Sequence, residues 1–176
     1  DGALGIRDDE LLGGGGLHLF TRDPSRYLLG AYGSYHTWDG IDVWRAAGEY
    51  EFYMGPWSIE ALGGVEGYVF PDTANGLPVL NDEDPHPFGQ AHLVLYPTEN
   101  LRFSAGVDYL DEKALGAGDF EYMFNGLGAP MSLFVNGRIG EDDYQEVRGG
   151  VRFYLGAHPD KSLVSRHRTE DPPNYV

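Results

Sequence analysis

Three side chains of the types that carry out acyl transfer fall close together in the predicted architecture. His92, Ser104 and Asp108 lie on one face of two neighbouring segments in which apolar and polar residues alternate. A hydroxyl, an imidazole and a carboxylate in a row can activate a serine as a nucleophile. However, no nucleophile motif surrounds Ser104, and the three side chains share the polar face of the alternation. We therefore predict that the chain is not an enzyme.

An acidic segment near the middle of the chain offers oxygen ligands for a divalent cation. Its four candidate ligands are Asp82, Glu83, Asp84 and His86. Carboxylates are the ligands that calcium and magnesium prefer, but Pro85 and Pro87 interrupt the cluster. We predict a solvated acidic loop over residues 71–87, with neither a defined metal site nor a cofactor.

Composition limits the classes of function. The chain has 176 residues, a formal net charge of −16 and no cysteine. One domain is expected at this length, and a chain this acidic has no basic face with which to neutralise nucleic-acid phosphates. No apolar run has the length of a membrane-spanning helix. Mean hydropathy is −0.37, but transmembrane barrels hide their apolar residues in alternation.

Residues 42–69 predict a long β-hairpin. From residue 42 to 54 apolar or small residues alternate with charged ones, and after a two-residue break the phase of the alternation inverts. If Met54 pairs with Trp57, apolar side chains lie opposite one another on one face. On the other face Arg45 then lies opposite Glu66.

Other segments continue this pattern in the same phase. Residues 26–38 pair with the hairpin when Trp38 lies opposite Ile41, which places Tyr35 opposite Trp44. Further strands are predicted at 14–22, 88–96, 101–109, 120–124, 131–139 and 145–156, with loops at 71–87 and 111–118. Such recurrence predicts an all-β fold: a closed antiparallel up-and-down transmembrane β-barrel of about eight to ten strands. Its apolar face would meet lipid and its charged face would fill the lumen.

The predicted lumen holds a network of opposite charges. Its members are Arg45, Glu49, Glu51, Glu60, Glu66, Arg102, Asp108, Glu121, Arg138, Glu146, Arg148 and Arg152. Pairing Ile139 with Gln145 sets Arg138 opposite Glu146. Because the interior of a small barrel is just wide enough for side chains to fill, we predict a plugged lumen in which these charges neutralise one another.

The last predicted strand carries a resemblance to a known family. Arg148, Gly150, Phe153 and Leu155 have the polar, glycine, aromatic and apolar spacing of the β-signal of Gram-negative outer-membrane proteins. Up to this strand the chain resembles small barrels of the OmpA and OmpX type, in pattern and not in residue identity. It departs from them because a tail follows Gly156. The resemblance implies a porin-like β-barrel in the cell outer membrane, in contact with lipid and lipopolysaccharide, that the barrel assembly machinery recognises.

The chain is therefore divided into three parts. Residues 1–13 form an N-terminal leader or a short extra strand, residues 14–156 form the barrel, and residues 157–176 form a periplasmic C-terminal tail. The tail has a basic run followed by an acidic end, so we do not expect it to fold alone. It is either idle or docks a periplasmic partner.

The predicted lipid face has an unusual set of small residues at mid-depth. They are Ala31, Gly33, Ala46, Gly48, Ala61, Gly63 and Gly67. Small residues let another surface approach closely, so we expect a packing seam for another envelope protein or a rigid lipid. The alternative is that small residues are merely tolerated in a well-bonded barrel.

Together these patterns predict a non-enzymatic outer-membrane barrel with a structural or interaction role, for example as a subunit of a larger envelope complex. Three alternatives remain. The first is a narrow channel for small solutes, and the second is a soluble lipocalin-like carrier with its apolar face turned inward. The third is a lipid-modifying enzyme, which would need its histidine and its serine or acid near the lipid face.

Overall fold

The computed structural model describes residues 2–7, 10–38, 41–74, 77–82, 84–110, 112–126, 129–141, 143–154 and 160–170. This part of the chain forms eleven strands and one helix. The strands are β1 Gly2–Arg7, β2 Glu10–Asp23, β3 Tyr27–Trp38, β4 Ile41–Met54, β5 Trp57–Ala74, β6 Leu77–Asp82, β7 His86–Thr98, β8 Leu101–Leu110, β9 Lys113–Gly126, β10 Ala129–Ile139 and β11 Gln145–Phe153. The helix, α1, is Leu163–Thr169.

The long strands run up and down in one curled antiparallel sheet. Their order is β2, β3, β4, β5, β7, β8, β9, β10 and β11. The short β1 pairs with the first half of β2, and β6 pairs only with the end of β5. Over the described residues, no backbone pairing joins β11 to β1 or β2. The predicted all-β, up-and-down architecture is therefore confirmed. Residues 1–13 were predicted as a leader or a short extra strand; they include the short β1, but β2 already begins at Glu10.

The predicted registers are confirmed. Met54 pairs with Trp57 and Arg45 with Glu66, and Trp38 pairs with Ile41. These pairs follow from tight turns between strands of matching phase, since a slip of one residue would move every side chain to the other face. Arg138 likewise pairs with Glu146 across β10 and β11.

Two predicted loops are wrong. Over residues 71–87, β5 continues to Ala74 and β6 returns along it, and the Asn75-Gly76 pair in the sequence is the hairpin signal that should have predicted this. Over residues 111–118, β9 already begins at Lys113 and pairs with β8. Its first residues are mostly Ala and Gly, which obscured the alternation.

Burial is inverted relative to a soluble sheet. On the inner, concave face the carboxylates of Glu49, Glu51 and Glu66 are at most 2% exposed. On the outer face Leu17 and Leu19 are about two-thirds exposed, at 65% and 68%. The same outer face leaves other large apolar side chains open, among them Phe52, Ile59, Leu93, Phe103, Val107, Leu133, Val135, Val151 and Phe153. The predicted assignment of the two faces is confirmed.

Helix α1 belongs to this fold and is not a separate appendage. Ser162 caps its N-terminus, because the Ser162 hydroxyl accepts a hydrogen bond from the Ser165 amide. Leu163 is fully buried in a cluster with Met123 and Tyr154, at the end of the sheet that holds the short turns. The two fates predicted for the tail did not include this docking onto the sheet itself. No helix in the described ranges is long and apolar enough to cross a membrane.

Two adjacent glycines on β5 give a test of the packing. A Cβ added to the inward Gly64 would lie 2.0 Å from the Ala46 carbonyl oxygen, whereas one added to the outward Gly63 would meet nothing within 4 Å. We expect Gly64→Ala to lower the free energy of unfolding by about 1–3 kcal/mol, because only the backbone can move away. Gly63→Ala, the matched control, should change it by less than about 0.5 kcal/mol. Urea unfolding of refolded protein measures both, and equal effects would contradict the assignment of faces.

Candidate functional site

The inner face between β2 and β5 holds paired charges. Arg45 Nε donates to Glu66 Oε2 at 2.9 Å, and His18 Nδ1 lies 2.7 Å from Glu49 Oε2 across β3. The Tyr53 hydroxyl donates to Glu51 Oε2 at 2.5 Å. Because these carboxylates are buried, each needs such a partner to offset its lost hydration.

A second group of ion pairs crosses the sheet from β5 to β9. Arg102 Nη2 donates to Glu60 Oε2 at 2.7 Å, and its Nη1 contacts Asp119. Asp119 also accepts a hydrogen bond from the Ser104 hydroxyl. Arg102 thereby links β5 to β8 over the intervening β7. Such contacts across alternate strands require the sheet to be strongly curved.

A third group of ion pairs lies nearer the end of the sheet opposite the short turns. Asp108 accepts a hydrogen bond from Arg138 Nε at 2.6 Å and lies 2.7 Å from His92 Nε2. Arg138 Nη1 also donates to Glu146 at 3.3 Å. Arg148 contacts Glu146 in turn, but the Arg148 side chain is 55% exposed. The network is therefore more exposed to solvent toward the start of β11.

Glu121 is the most highly connected carboxylate of the network. It accepts hydrogen bonds from Arg152 at 2.8 Å, Ser132 at 2.5 Å and the Tyr154 hydroxyl at 2.6 Å. His167 of α1 lies 3.7 Å from the same carboxylate. Glu121 therefore connects β9, β10 and β11 to the helix.

The three residues considered for acyl transfer do come together. His92 Nδ1 lies 3.4 Å from the Ser104 hydroxyl, and its Nε2 lies 2.7 Å from Asp108. However, the Ser104 hydroxyl donates to Asp119, and Asp119 is itself paired with Arg102. Since its proton points away from His92, the serine acts as a link in a polar network. All three side chains belong to the inner face, away from the exposed apolar surface.

A cavity of about 440 Å³ lies within the curl of the sheet. The side chains of Arg102, Asp108 and Arg138 form part of its wall. At the end of the sheet with the short turns, three consecutive residues of α1 also line it: Arg166, His167 and Arg168. The cavity is thus polar and bounded at one end by the helix.

Helix α1 is bound to two turns and to the start of β5. The Leu163 amide donates to Asn100 Oδ1 at 3.1 Å, and the Val164 amide donates to the Glu99 carbonyl at 3.0 Å. Arg168 Nη2 donates to the carbonyl oxygens of Gly55 at 2.9 Å and Trp57 at 3.1 Å, and to the Ser58 hydroxyl at 3.0 Å. The guanidinium also lies over the rings of Tyr53 and Tyr96.

His167 is held as a neutral imidazole at this contact. Its Nδ1 lies 2.9 Å from the Tyr96 hydroxyl, and its side chain is 17% exposed. Burial lowers the pKa of His167 to about 4, although the nearby Glu121 and Asp119 oppose this shift and Arg102 and Arg152 add to it. Burial and Glu121 also raise the pKa of Tyr154, so its hydroxyl stays protonated.

The residues predicted for the lumen network share the inner face of the curled sheet. All twelve of its members lie on the inner strand faces, and most form the ion pairs described above. The network also includes His18, Asp119, Tyr154 and the three helix residues, which were not predicted. Asp119 would have been found by extending the β9 alternation toward residue 113, but a helix docked onto a sheet end has no signal in the alternation.

The predicted β-signal falls on the last strand. Phe153 is 54% exposed on the outer face, and Gly150 and Arg148 lie on the inner face of β11. Leu155 lies outside the described residues. β11 pairs only with β10 over the described chain, so it is an edge strand of the sheet.

Most of the predicted small-residue seam is open. Ala31, Gly48 and Gly63 lie side by side across β3, β4 and β5, and a Cβ added to Gly48 or Gly63 would have ample room. Gly67 differs, because a Cβ there would lie 2.5 Å from the Trp44 indole that covers it. The seam therefore ends before Gly67.

In the described ranges, no group of three or more His, Asp or Glu residues is arranged to hold a metal ion. In the acidic segment around residues 82–86, His86 lies 3.7 Å from Glu112, while Glu83 falls outside the described residues. Comparison with protein-family models, curated proteins and solved structures gave no match. The function is therefore inferred from the geometry of the charged interior and of its helix.

The Arg138–Asp108 pair can be tested by a double-mutant cycle. Arg138→Met leaves the buried Asp108 carboxylate with His92 as its remaining partner. We expect the free energy of unfolding to fall by an amount toward the low end of about 3–5 kcal/mol, because the Arg138 side chain is 24% exposed. Adding Asp108→Asn should recover most of the lost free energy of unfolding, because no buried charge is then left without its partner. Arg148→Met, which breaks an exposed pair, is the matched control and should cost less than about 1 kcal/mol. Urea unfolding decides, and equal losses for the two arginines would refute a buried network.

The neutral His167 predicts a pH dependence of helix docking. Because its folded pKa of about 4 lies below the ordinary 6.5, docking is fully stabilised above pH 6.5 and weakens as the pH falls toward 4. We expect protection of the Leu163 and Val164 amides against hydrogen exchange to fall by up to about tenfold per pH unit in this window. His167→Gln should flatten this dependence of amide protection on pH. An unchanged slope in that variant would mean that another group causes the pH dependence.

Proposed function

We propose that this chain is an outer-membrane β-barrel that is not an enzyme and that serves a structural or interaction role in the cell envelope. The observation that carries the proposal is the inverted burial: carboxylates such as Glu66 are enclosed while the outer face is apolar and open. Soluble monomers rarely leave contiguous apolar surfaces of more than a few hundred Å² in water. A lipid bilayer is the solvent that suits such a face.

Closure of the sheet belongs to this proposal. Unpaired backbone groups at a sheet edge are too costly in hydrocarbon, so strands cross bilayers only in closed barrels. Successive strands on the path from β1 to β11 are antiparallel, and without β6 that path has ten strands. Its first and last strands therefore run antiparallel to each other. Pairing of β1 with β11 would give an even-numbered, wholly antiparallel barrel.

The positions of the aromatic residues support the same orientation. Tyr27, Trp57 and Phe153 are exposed on the outer face near the end with the short turns, and Tyr35 and Tyr109 are exposed near the opposite end. Two such belts are typical of the two interfaces of a membrane. The short-turn end, where α1 docks, would then face the periplasm.

Three kinds of partner follow from this proposal. Lipid and lipopolysaccharide would surround the outer face. The barrel assembly machinery would recognise β11, whose edge is unpaired over the described residues. Another envelope protein would pack on the small-residue seam around Gly48 and Gly63, where side chains leave the backbone open.

The soluble-carrier alternative requires the opposite arrangement. A lipocalin-like carrier would place its apolar side chains around the ligand and its charges in bulk water. Here the cavity is walled by arginines and carboxylates, and the exposed face holds residues such as Leu93 and Val107. Geometry therefore favours the membrane-embedded form.

Adjacent residues at the middle of β10 test the proposal. Val135 is 49% exposed on the outer face, and Asn136 lies on the inner face and lines the cavity. In a membrane barrel Val135→Arg should cost about 2–4 kcal/mol and reduce insertion into lipid vesicles, while Asn136→Arg should insert like the wild type. Flotation of the protein with vesicles measures insertion.

Gel mobility in detergent, with and without boiling, completes the test. The wild type and Asn136→Arg should migrate differently before and after boiling, as closed membrane barrels do. A soluble carrier would tolerate Val135→Arg in water, would not float with vesicles and would show no shift. That combination would refute the proposed function.

A further inference from the structure

We propose that α1 is a resident plug in a pathway for small cations, and that displacing α1 opens the charged interior to ion flow. This inference rests on the proposed function, because flow across a membrane requires a closed and inserted barrel. It adds a transport activity to a protein proposed above as structural.

Helix α1 fits the end of the interior through specific contacts. Leu163 is 0% exposed between Met123 and Tyr154, and Arg168 bonds to the Gly55 and Trp57 carbonyl oxygens and to Ser58. His167 reaches the Tyr96 hydroxyl on β7. The contacts therefore involve β4, β5, β7 and β9 together with Tyr154, which directly follows β11. A helix held on so many sides obstructs the opening.

The helix is also suited to release. It has only seven residues, and isolated helices shorter than about twelve residues are marginal in water. Its attachment depends mainly on polar contacts, with Leu163 as its fully buried apolar anchor. Undocking and unfolding of the helix are thus coupled, so the segment has two discrete states: folded in the opening, or unfolded outside it.

Release would leave a wide polar space. A helix with its side chains is about 10 Å across, and α1 walls one end of a cavity that already measures about 440 Å³. The interior walls keep their ion pairs without the helix, because pairs such as Arg102–Glu60 and Arg138–Asp108 join strands to strands. The space vacated is therefore lined by fixed charges.

The charge that remains favours cations. Of the residues lining the cavity, α1 contributes the guanidinium groups of Arg166 and Arg168, and Glu170 follows it. Without them the lining has the acidic side chains Glu51, Glu60, Asp108, Asp119, Glu121 and Glu146. Only four arginines oppose them: Arg102, Arg138, Arg148 and Arg152. An excess of one sign of charge in a narrow space attracts the opposite ion, and the whole chain, at −16, adds to this field.

The test is ion conduction by the full chain in planar bilayers with potassium chloride. We expect low conductance for the wild type and at least a tenfold higher mean conductance for a release variant, Leu163→Ala with Arg168→Ala. Loss of hydrogen-exchange protection at the Val164 amide confirms that the helix has left. Arg168→Ala alone is a milder release variant in case the double one does not fold. Lys161→Ala is the matched control, because within the described ranges Lys161 bonds only to Thr169 and Glu170 of its own segment, and it should conduct like the wild type.

An engineered disulfide that locks the helix to the sheet provides an independent test. The Val164 amide lies 3.0 Å from the Glu99 carbonyl oxygen, and the chain has no cysteine, so Glu99→Cys with Val164→Cys gives a single disulfide between helix and sheet. The oxidised lock should not conduct, and reduction should restore conductance to at least the wild-type level.

Selectivity identifies the pathway. In the release background, potassium should permeate several-fold better than chloride. Replacing two wall carboxylates, Glu60→Gln and Asp119→Asn, should lower this ratio or reverse it, because four carboxylates would then face four arginines. A preference for chloride in the release variant, or no effect of the wall substitutions, would overturn the proposal.

Two further outcomes are decisive. If the release variants lose protection at Val164, float with vesicles and still conduct no better than the wild type, α1 is not a plug, and the proposed structural function stands alone. If the wild type itself does not float with vesicles, the proposed function fails, and the inference fails with it.

Discussion

The structure depends on one electrostatic constraint: a sheet that exposes its apolar face encloses the charges of its other face, and enclosed charges need partners. Glu49, Glu66 and Asp108 are almost fully buried, and an unpaired buried carboxylate costs several kcal/mol. Each is therefore matched by a cation or histidine on another strand. Several partners lie two strands away, as with Arg138 and Asp108. Such pairs favour a curled sheet over a flat one, so the charges that burial makes costly also help to set the curvature.

The same constraint explains the helix. An enclosed polar face leaves polar strand ends wherever the sheet stops, and Glu121, Tyr96 and Tyr154 lie at such an end. The tail supplies His167 and Arg168, which bond to these groups and to the turn carbonyls. His167 is neutral there because burial lowers its pKa by more than the nearby Glu121 raises it. The tail is thus an extension of the interior network, although it follows the last strand.

His92, Ser104 and Asp108 belong to one hydrogen-bonded network on the inner face. His92 bridges Ser104 and Asp108 at distances that resemble a relay, but the Ser104 hydroxyl donates its hydrogen bond to Asp119. A hydroxyl whose proton is held by a second carboxylate is an organised donor. The inner face needs many such donors, since its carboxylates have more lone pairs than the arginines alone can satisfy.

The sequence by itself determined the strands, their registers and their two faces. Side-chain alternation has a period of two, so pairing Met54 with Trp57 commits every later residue of β5 to one face. It also indicated which carboxylates and arginines share the interior. It did not reveal β6, whose Asn-Gly signal lay in a segment interpreted as a loop, or the start of β9, where Ala and Gly hide the period. Only the tertiary structure decided which charge meets which across alternate strands, because those distances depend on curvature. The docking of α1 was likewise decided there, because a helix of one or two turns is stabilised by the surface that receives it and not by its own sequence.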